Sequence, residues 1–236
     1  MMGDKANAVI VEILGKQSSS TIEWLKYLAI ISMLIDHAAV VLFESSPILR
    51  GIGRIAFLFF TYTLVHNYLF FTKNRLHFVR RLVLFGIFVQ PIYYFTFDKF
   101  LGNIFLLFSL SLIVFYLYET YIENKGLSRN TYLTFAFLLF MAGMIASLFT
   151  EYSWDGYLFI VGLYMAFKDN SYWRLPPAFI LFLYHSNIYF LIISYFSIYL
   201  LLILRNVPYK LTQVNRLFFY LFYPTHLLIL LLLKAI

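Results

Sequence analysis

Two ionisable residues, Asp36 and His37, stand side by side deep in the apolar run WLKYLAIISMLIDHAAVVLF, residues 24–43. A group that can ionise within hydrocarbon is costly unless it is paired or faces a wet cavity, so such residues in a membrane segment mark function first. His37 has the properties of a general base: a neutral imidazole titrating near physiological pH, its tautomer held by Asp36 or by a group on another helix. The plainer alternative is a histidine satisfied by an interhelical hydrogen bond. Successive helical residues point about 100° apart, so Asp36 reads as an electrostatic or structural partner more readily than as a direct catalyst. Lys26 precedes His37 by eleven positions. That spacing sets the two within roughly 20° of one helix face and about 16 Å apart along the axis, where they could line one cavity.

Three further stretches carry polar chemistry. Arg54 follows Gly51-Ile52-Gly53 at the start of the second apolar run and lies close in depth to Asp36. An Arg54–Asp36 ion pair is expected, with snorkelling of Arg54 to the interface as the alternative. Gly51 and Gly53 would let a neighbouring backbone or a ligand approach closely. Arg54, Thr61 and Tyr68 share a stripe, and His66 lies on another face. In the last run, RLFFYLFYPTH places Tyr223, Pro224 and His226 near mid-membrane. Pro224 releases the carbonyl of Tyr220 and offers a polar acceptor beside the histidine. The stretch 72–81, TKNRLHFVRR, holds Lys73, Arg75, Arg80 and Arg81. It reads as a topology signal touching anionic lipid, or as a capture site for a polyanion such as a nucleotide or coenzyme A. Gln90 before Pro91, Asn103, and Trp154-Asp155-Gly156 are weaker signals, because span ends commonly carry polar caps and interfacial aromatics.

The elements that must position these groups follow from composition. Of 236 residues, 62% are hydrophobic and 12% charged, against about a quarter charged in soluble domains, so a water-soluble globular fold is excluded. Long apolar runs without strict alternation indicate spanning helices, not an outer-membrane barrel. The fold class is all-α, a polytopic transmembrane helical bundle and a single membrane domain. Spans are expected at 24–43, 53–71, 80–97, 103–122, 131–149, 154–167, 174–185, 187–204 and 214–235, nine in all within a range of eight to ten. The sixth and seventh are short, with a break near Pro176 and Pro177 and a tight hairpin at His185-Ser186-Asn187. Residues 1–23 form an interfacial N-terminal segment without the pattern of a cleaved signal peptide. A cytoplasmic N-terminus gathers Lys5, Lys16, Lys26, the 72–81 cluster, Lys125, Arg129, Lys168, Arg174, Arg205, Lys210 and Arg216 inside. Only Arg50, Arg54, Lys99 and Lys234 then remain outside, which fits the positive-inside rule. The lipid bilayer is the evident partner, and no nucleic-acid partner is expected.

The chain has no cysteine, so thiolate nucleophiles and thiolate metal sites are excluded. No Gly-rich phosphate loop, HExxH or GxSxG motif is present, and no metal site is expected. The residues alone fit an acyl or phosphoryl transferase and, equally, a proton-coupled transporter.

At these same positions the sequence resembles the TraX family of bacterial membrane proteins, whose founding member N-acetylates conjugative pilin. The blocks that carry the likeness are LKYLAIISMLIDHAAVVLF (25–43), GIGRIAFLFFTYTLVHNYLFFTKNRLHFVRRLVLF (51–85), NIFLLFSLSL (103–112) and FFYLFYPTHLLILLLLK (218–234). The sequence departs from the family's usual pattern at FVQPI (88–92) and at Leu58, where proline is common. The resemblance implies a site built from Asp36, His37, Arg54, Tyr223, Pro224 and His226. It also implies an acetyltransferase of the bacterial inner membrane using acetyl-CoA as acyl donor. Lys26, Lys73, Arg75, Arg80 and Arg81 would meet the donor, and Lys26 stands where related membrane acyltransferases have an arginine. The acceptor would be a pilin-like peptide, a glycan or a lipid. A proton-coupled transporter and a non-catalytic pilus-assembly protein are the alternatives.

Overall fold

The computed structural model describes residues 17–123, 125–169 and 216–235. Among them the chain is helical and has no strand, only an isolated bridge between Gly102 and Thr150. The helices are α1 (Ser19–Leu42), α2 (Pro47–Gly53), α3 (Ile55–Phe70), α4 (Arg75–Phe97), α5 (Ile104–Leu117), α6 (Arg129–Ser147), α7 (Ser153–Lys168) and α8 (Arg216–Lys234). A π-helical turn, Tyr118–Glu123, continues α5. The expected spans at 174–185 and 187–204, the break at Pro176 and Pro177 and the hairpin at 185–187 lie outside the described residues. So do Lys5, Lys16, Arg174, Arg205 and Lys210.

Local chemistry sets where the helices begin. Four helix starts are capped by a short polar side chain: Ser18 accepts from the Thr21 N–H, Asn74 from His77, Asn103 from Phe105 and Ser128 from Thr131. Three starts differ from expectation, and the first helix begins at Ser19, five residues before the expected 24. The second span begins at Pro47, not Gly53, because proline suits a first helical turn. Arg50 is therefore helical, and Arg54 stands at the junction between α2 and α3. The third span begins at Arg75, so Arg75, Arg80 and Arg81 ride on a helix instead of a loop.

Among the described residues, six helical stretches are long and apolar enough to cross a membrane: 20–42, 47–70, 75–97, 104–123, 129–147 and 217–234. The chain is a multi-pass membrane protein. At 16 residues α7 is shorter than these, yet it packs against α3, α5 and α6. Lys26 lies over the Phe219 ring at 5.4 Å, and Lys234 pairs with Asp98 at 2.5 Å, so α8 runs parallel to α1 and α4. The end where these three helices start is called the basic end below. Leu133, Phe135, Phe137, Leu138 and Ile145 of α6 are exposed, as expected of a lipid-facing surface.

Lipid tails are as apolar as the helices, so packing comes from close contact instead of water exclusion. The closest approach to a neighbouring backbone is between α1 and α2, where a Cβ added at Gly53 would overlap the Asp36 side chain and come within 2.7 Å of its backbone nitrogen. Gly51 and Gly53 are both buried, and the expected close approach is present at Gly53. Phe57, Phe108, Leu112, Ile160 and Tyr164 fill the centre of the bundle. Gly53→Ala is expected to destabilise the protein by about 1–3 kcal/mol, read as a lower melting temperature in detergent. Unchanged melting would refute the contact.

Candidate functional site

α1 and α8 bring together the histidines that sequence places far apart. His37 Nδ1 lies 2.8 Å from His226 Nε2, and the rings stack with centroids 5.0 Å apart and planes 7° from parallel. His226 Nδ1 is 2.9 Å from the Phe222 carbonyl. A carbonyl only accepts, so for neutral rings the network assigns every proton. His226 Nδ1–H donates to Phe222, His226 Nε2 accepts, and His37 Nδ1–H donates to it. His37 Nε2 is left with a lone pair and no proton. The acceptor beside His226 is thus the Phe222 carbonyl, not the Tyr220 carbonyl that Pro224 was expected to supply, because a histidine reaches back one turn along its own helix.

Tyr223 packs beside the histidine pair. Its ring meets those of His37 and His226 edge-on at 6.0 and 5.3 Å. The hydroxyl is buried and has no hydrogen-bond partner among the described residues. Such a group normally finds one. Phe97 closes another side, edge-on to His37 at 5.0 Å.

The expected Arg54–Asp36 pair is corrected by the structure. Asp36 Oδ1 is 2.8 Å from Arg50 Nη1, because the early start of α2 carries Arg50 back over α1. Arg54, one turn later, lies over the Tyr152 ring at 4.5 Å. Arg54 makes no ion-pair contact with Asp36, yet its charge acts on the carboxyl at least as strongly as that of Arg50, and Lys99 acts more weakly. Tyr152 belongs to the 148–153 connection, which the 98–103 connection holds in place: Gly102 N–H donates to Phe149 at 2.8 Å and Glu151 N–H to Gly102 at 2.7 Å. Tyr152 and Ser153 both have positive φ, 64° and 46°, a conformation unfavourable for side-chain-bearing residues. Burial raises the Glu151 carboxyl above the ordinary carboxylate range, against the pull of Arg54. Tyr93 lies within hydrogen-bonding reach of Glu151.

The residues expected to meet an acyl donor do not form one patch. Lys26 pairs with Glu23 at 2.6 Å, Arg75 with the buried Glu119 at 2.5 Å, and Arg81 lies over the Phe78 and Tyr220 rings. Lys73 and Arg80 are exposed. Lys26 and His37 do share a face, since both meet α8. The weaker signals have structural roles. Asn103 donates to Gly86 and Gln90, and Gln90 donates to Leu101. His66 accepts from the Gln17 N–H at 3.0 Å. Sequence reasoning missed Arg50, Glu119 and Glu151, although Glu119 is an acid inside an otherwise apolar span and carried a readable signal.

Among the described residues no group of three His, Asp or Glu is placed to hold a metal ion. Fold and site together define a helical multi-pass membrane protein with a buried histidine pair between its first and last described helices. Residues 21–234 match the family described as TraX protein, and the chain belongs to that family. No curated protein and no solved structure matches it.

Double-mutant analysis tests the new ion pair. Arg50→Gln and Asp36→Asn are expected to couple by about 0.5–3 kcal/mol in thermal stability, and Arg54→Gln with Asp36→Asn by less. The reverse order would restore the Arg54 pairing.

Proposed function

We propose that this TraX-family protein is a membrane acyltransferase that uses acetyl-CoA to acetylate an acceptor in the membrane or beyond it. The observation that carries the reading is the hydrogen-bonded histidine pair, which for neutral rings leaves His37 Nε2 unprotonated, in a ring 6.0 Å from that of Tyr223, whose hydroxyl has no partner among the described residues.

His37 Nε2 takes the proton from the acceptor's N–H or O–H as that atom bonds to the thioester carbonyl carbon. His226 holds the His37 tautomer and shares the positive charge that forms. Tyr223 donates to the developing oxyanion, and Arg54 supplies longer-range charge. Collapse breaks the carbon–sulfur bond, and the imidazolium returns its proton to the leaving thiolate. Acetylated acceptor and free coenzyme A result. Asp36 is paired with Arg50 and sets the position of His37 without touching the reacting atoms.

In this reading the basic end faces the cytoplasm of a bacterial inner membrane. The donor enters there past Lys26, Lys73, Arg75, Arg80 and Arg81, and its thioester reaches His37 between α1 and α8. The family relationship favours the N-terminal amine of a pilin-like subunit as acceptor. A glycan or lipid headgroup presents the same nucleophiles.

Purified wild-type protein and His37→Ala are both expected to bind acetyl-CoA, with only wild type adding one acetyl group to a co-expressed pilin or other acceptor, read by mass spectrometry. Tyr223→Phe should lower kcat by on the order of 10²–10³-fold with little change in donor KM. Absence of acetyl-CoA binding, together with substrate-driven proton movement in proteoliposomes, would replace this reading with transport. Pilus biogenesis supported by His37→Ala in cells without acceptor acetylation would favour an assembly role.

A further inference from the structure

At the basic end, far along the chain from His37, a cleft of about 240 Å³ is lined by Leu69, Phe70, Arg75, Glu119, Glu123, Phe167 and Lys168. We propose that this cleft holds the nucleotide end of the acyl donor, its base between the aromatic wall and Glu123 and its phosphates at Lys73. The proposal rests on the transfer reading above and gives that reading a second, separate binding site.

Size comes first. Sites that enclose a drug-sized ligand measure about 300–1,000 Å³, so this cleft takes one end of an extended ligand and leaves the rest outside. Its walls are of two kinds. Phe70 and Phe167, with centroids 6.1 Å apart, and Leu69 give an apolar surface suited to a planar base. Opposite stand two carboxylates and two cations. Glu119 accepts from Tyr68 at 3.0 Å, Tyr164 at 2.7 Å and Arg75 at 2.5 Å. Lys168 donates to Glu123 Oε2 at 2.5 Å and to the Tyr164 hydroxyl at 3.0 Å. Among the described residues that line it, two acids stand against two bases. Glu123 is about one-third exposed and retains a second oxygen, which can accept from an exocyclic amine.

Glu119 makes the cleft rigid. Its partners come from α3, α4 and α7, and it stands on the π-helical turn, a rare conformation often found at functional sites. Without that turn the carboxyl would not meet donors from three helices at once.

Phosphate affinity belongs to the rim. Lys73 is two residues before Arg75, exposed, and makes no ion pair among the described residues. It stands beside Asn74, which caps the 23-residue α4, so its charge adds to the free N–H groups of that helix end. A base inside and phosphates outside match an adenine nucleotide joined to a flexible arm. The donor chemistry requires that arm to reach the site between α1 and α8.

The test uses the full chain in detergent with 3′,5′-ADP, acetyl-CoA and S-acetylpantetheine, followed by calorimetry. In wild type 3′,5′-ADP is expected to bind and to compete with acetyl-CoA. Lys73→Ala and Glu123→Gln, both at exposed positions, should each weaken 3′,5′-ADP and acetyl-CoA by on the order of 10-fold and leave S-acetylpantetheine unchanged. Acetyl-CoA binding without competition by 3′,5′-ADP, or unchanged in both variants, would overturn the cleft assignment and leave acyl transfer standing. Equal weakening of all three ligands would mark the variants as structural and overturn the assignment too. Failure of every ligand to bind wild type would remove both readings together.

Discussion

A carboxylate inside a lipid-embedded bundle is tolerated only with a partner, and Asp36 has one because Gly53 lets α2 lie directly against α1. The contact leaves no room for a Cβ, and it brings Arg50 to 2.8 Å from the carboxyl. Charge neutralisation and backbone approach are therefore one event. Removing Arg50 alone would leave a buried charge uncompensated, usually costlier than removing the pair. His37, the next residue, inherits a fixed position. Its ring points about 100° away from Asp36, toward α8, where His226 completes the proton arrangement.

The opposite end of the bundle repeats this logic with different parts. Glu119 is the buried acid there, and it gathers two phenols and a guanidinium instead of a single arginine. Each end of the protein is thus tied by a carboxylate: Asp36 joins the consecutive helices α1 and α2, and Glu119 joins helices distant in sequence. Such polar ties suit a membrane protein, since apolar helices gain little by leaving lipid for one another. Ser109 and Ser111 do not tie helices together, since each returns its hydroxyl to a carbonyl of its own helix.

Much of this was legible in the sequence. Composition and run length gave the helical membrane fold, and adjacent ionisable residues in an apolar run located Asp36 and His37. Tyr223 and His226 stood out for the same reason. Partner choice was not legible. Arg54 looked like the mate of Asp36 because its depth was judged from a span starting at Gly53, and Pro47 moves the start by six residues and gives the role to Arg50. Likewise the basic run 73–81 looked like one patch, but helical geometry turns Arg75 toward Glu119 and Arg81 toward Tyr220. Glu151 lay in a connection whose burial depends on the bridge to Gly102, a contact with no local signal.

The spacing between the two polar ends bears on mechanism. A proton path for transport needs donors and acceptors in series from face to face. The described core on the Glu119 side of the histidine pair includes Phe57, Phe108, Leu112, Phe115 and Ile160, and the buried hydroxyls of Thr61, Ser109 and Ser111 lie on the same helices. Thr61 has no hydrogen-bond partner among the described residues, and Ser109 and Ser111 each donate to a carbonyl of their own helix. Under the transfer reading proposed above, an extended donor would join the two ends, its base in the cleft at Glu119, its phosphates at the rim and its reacting atom at His37. Under the transport alternative, a proton would have to pass these hydroxyls in series.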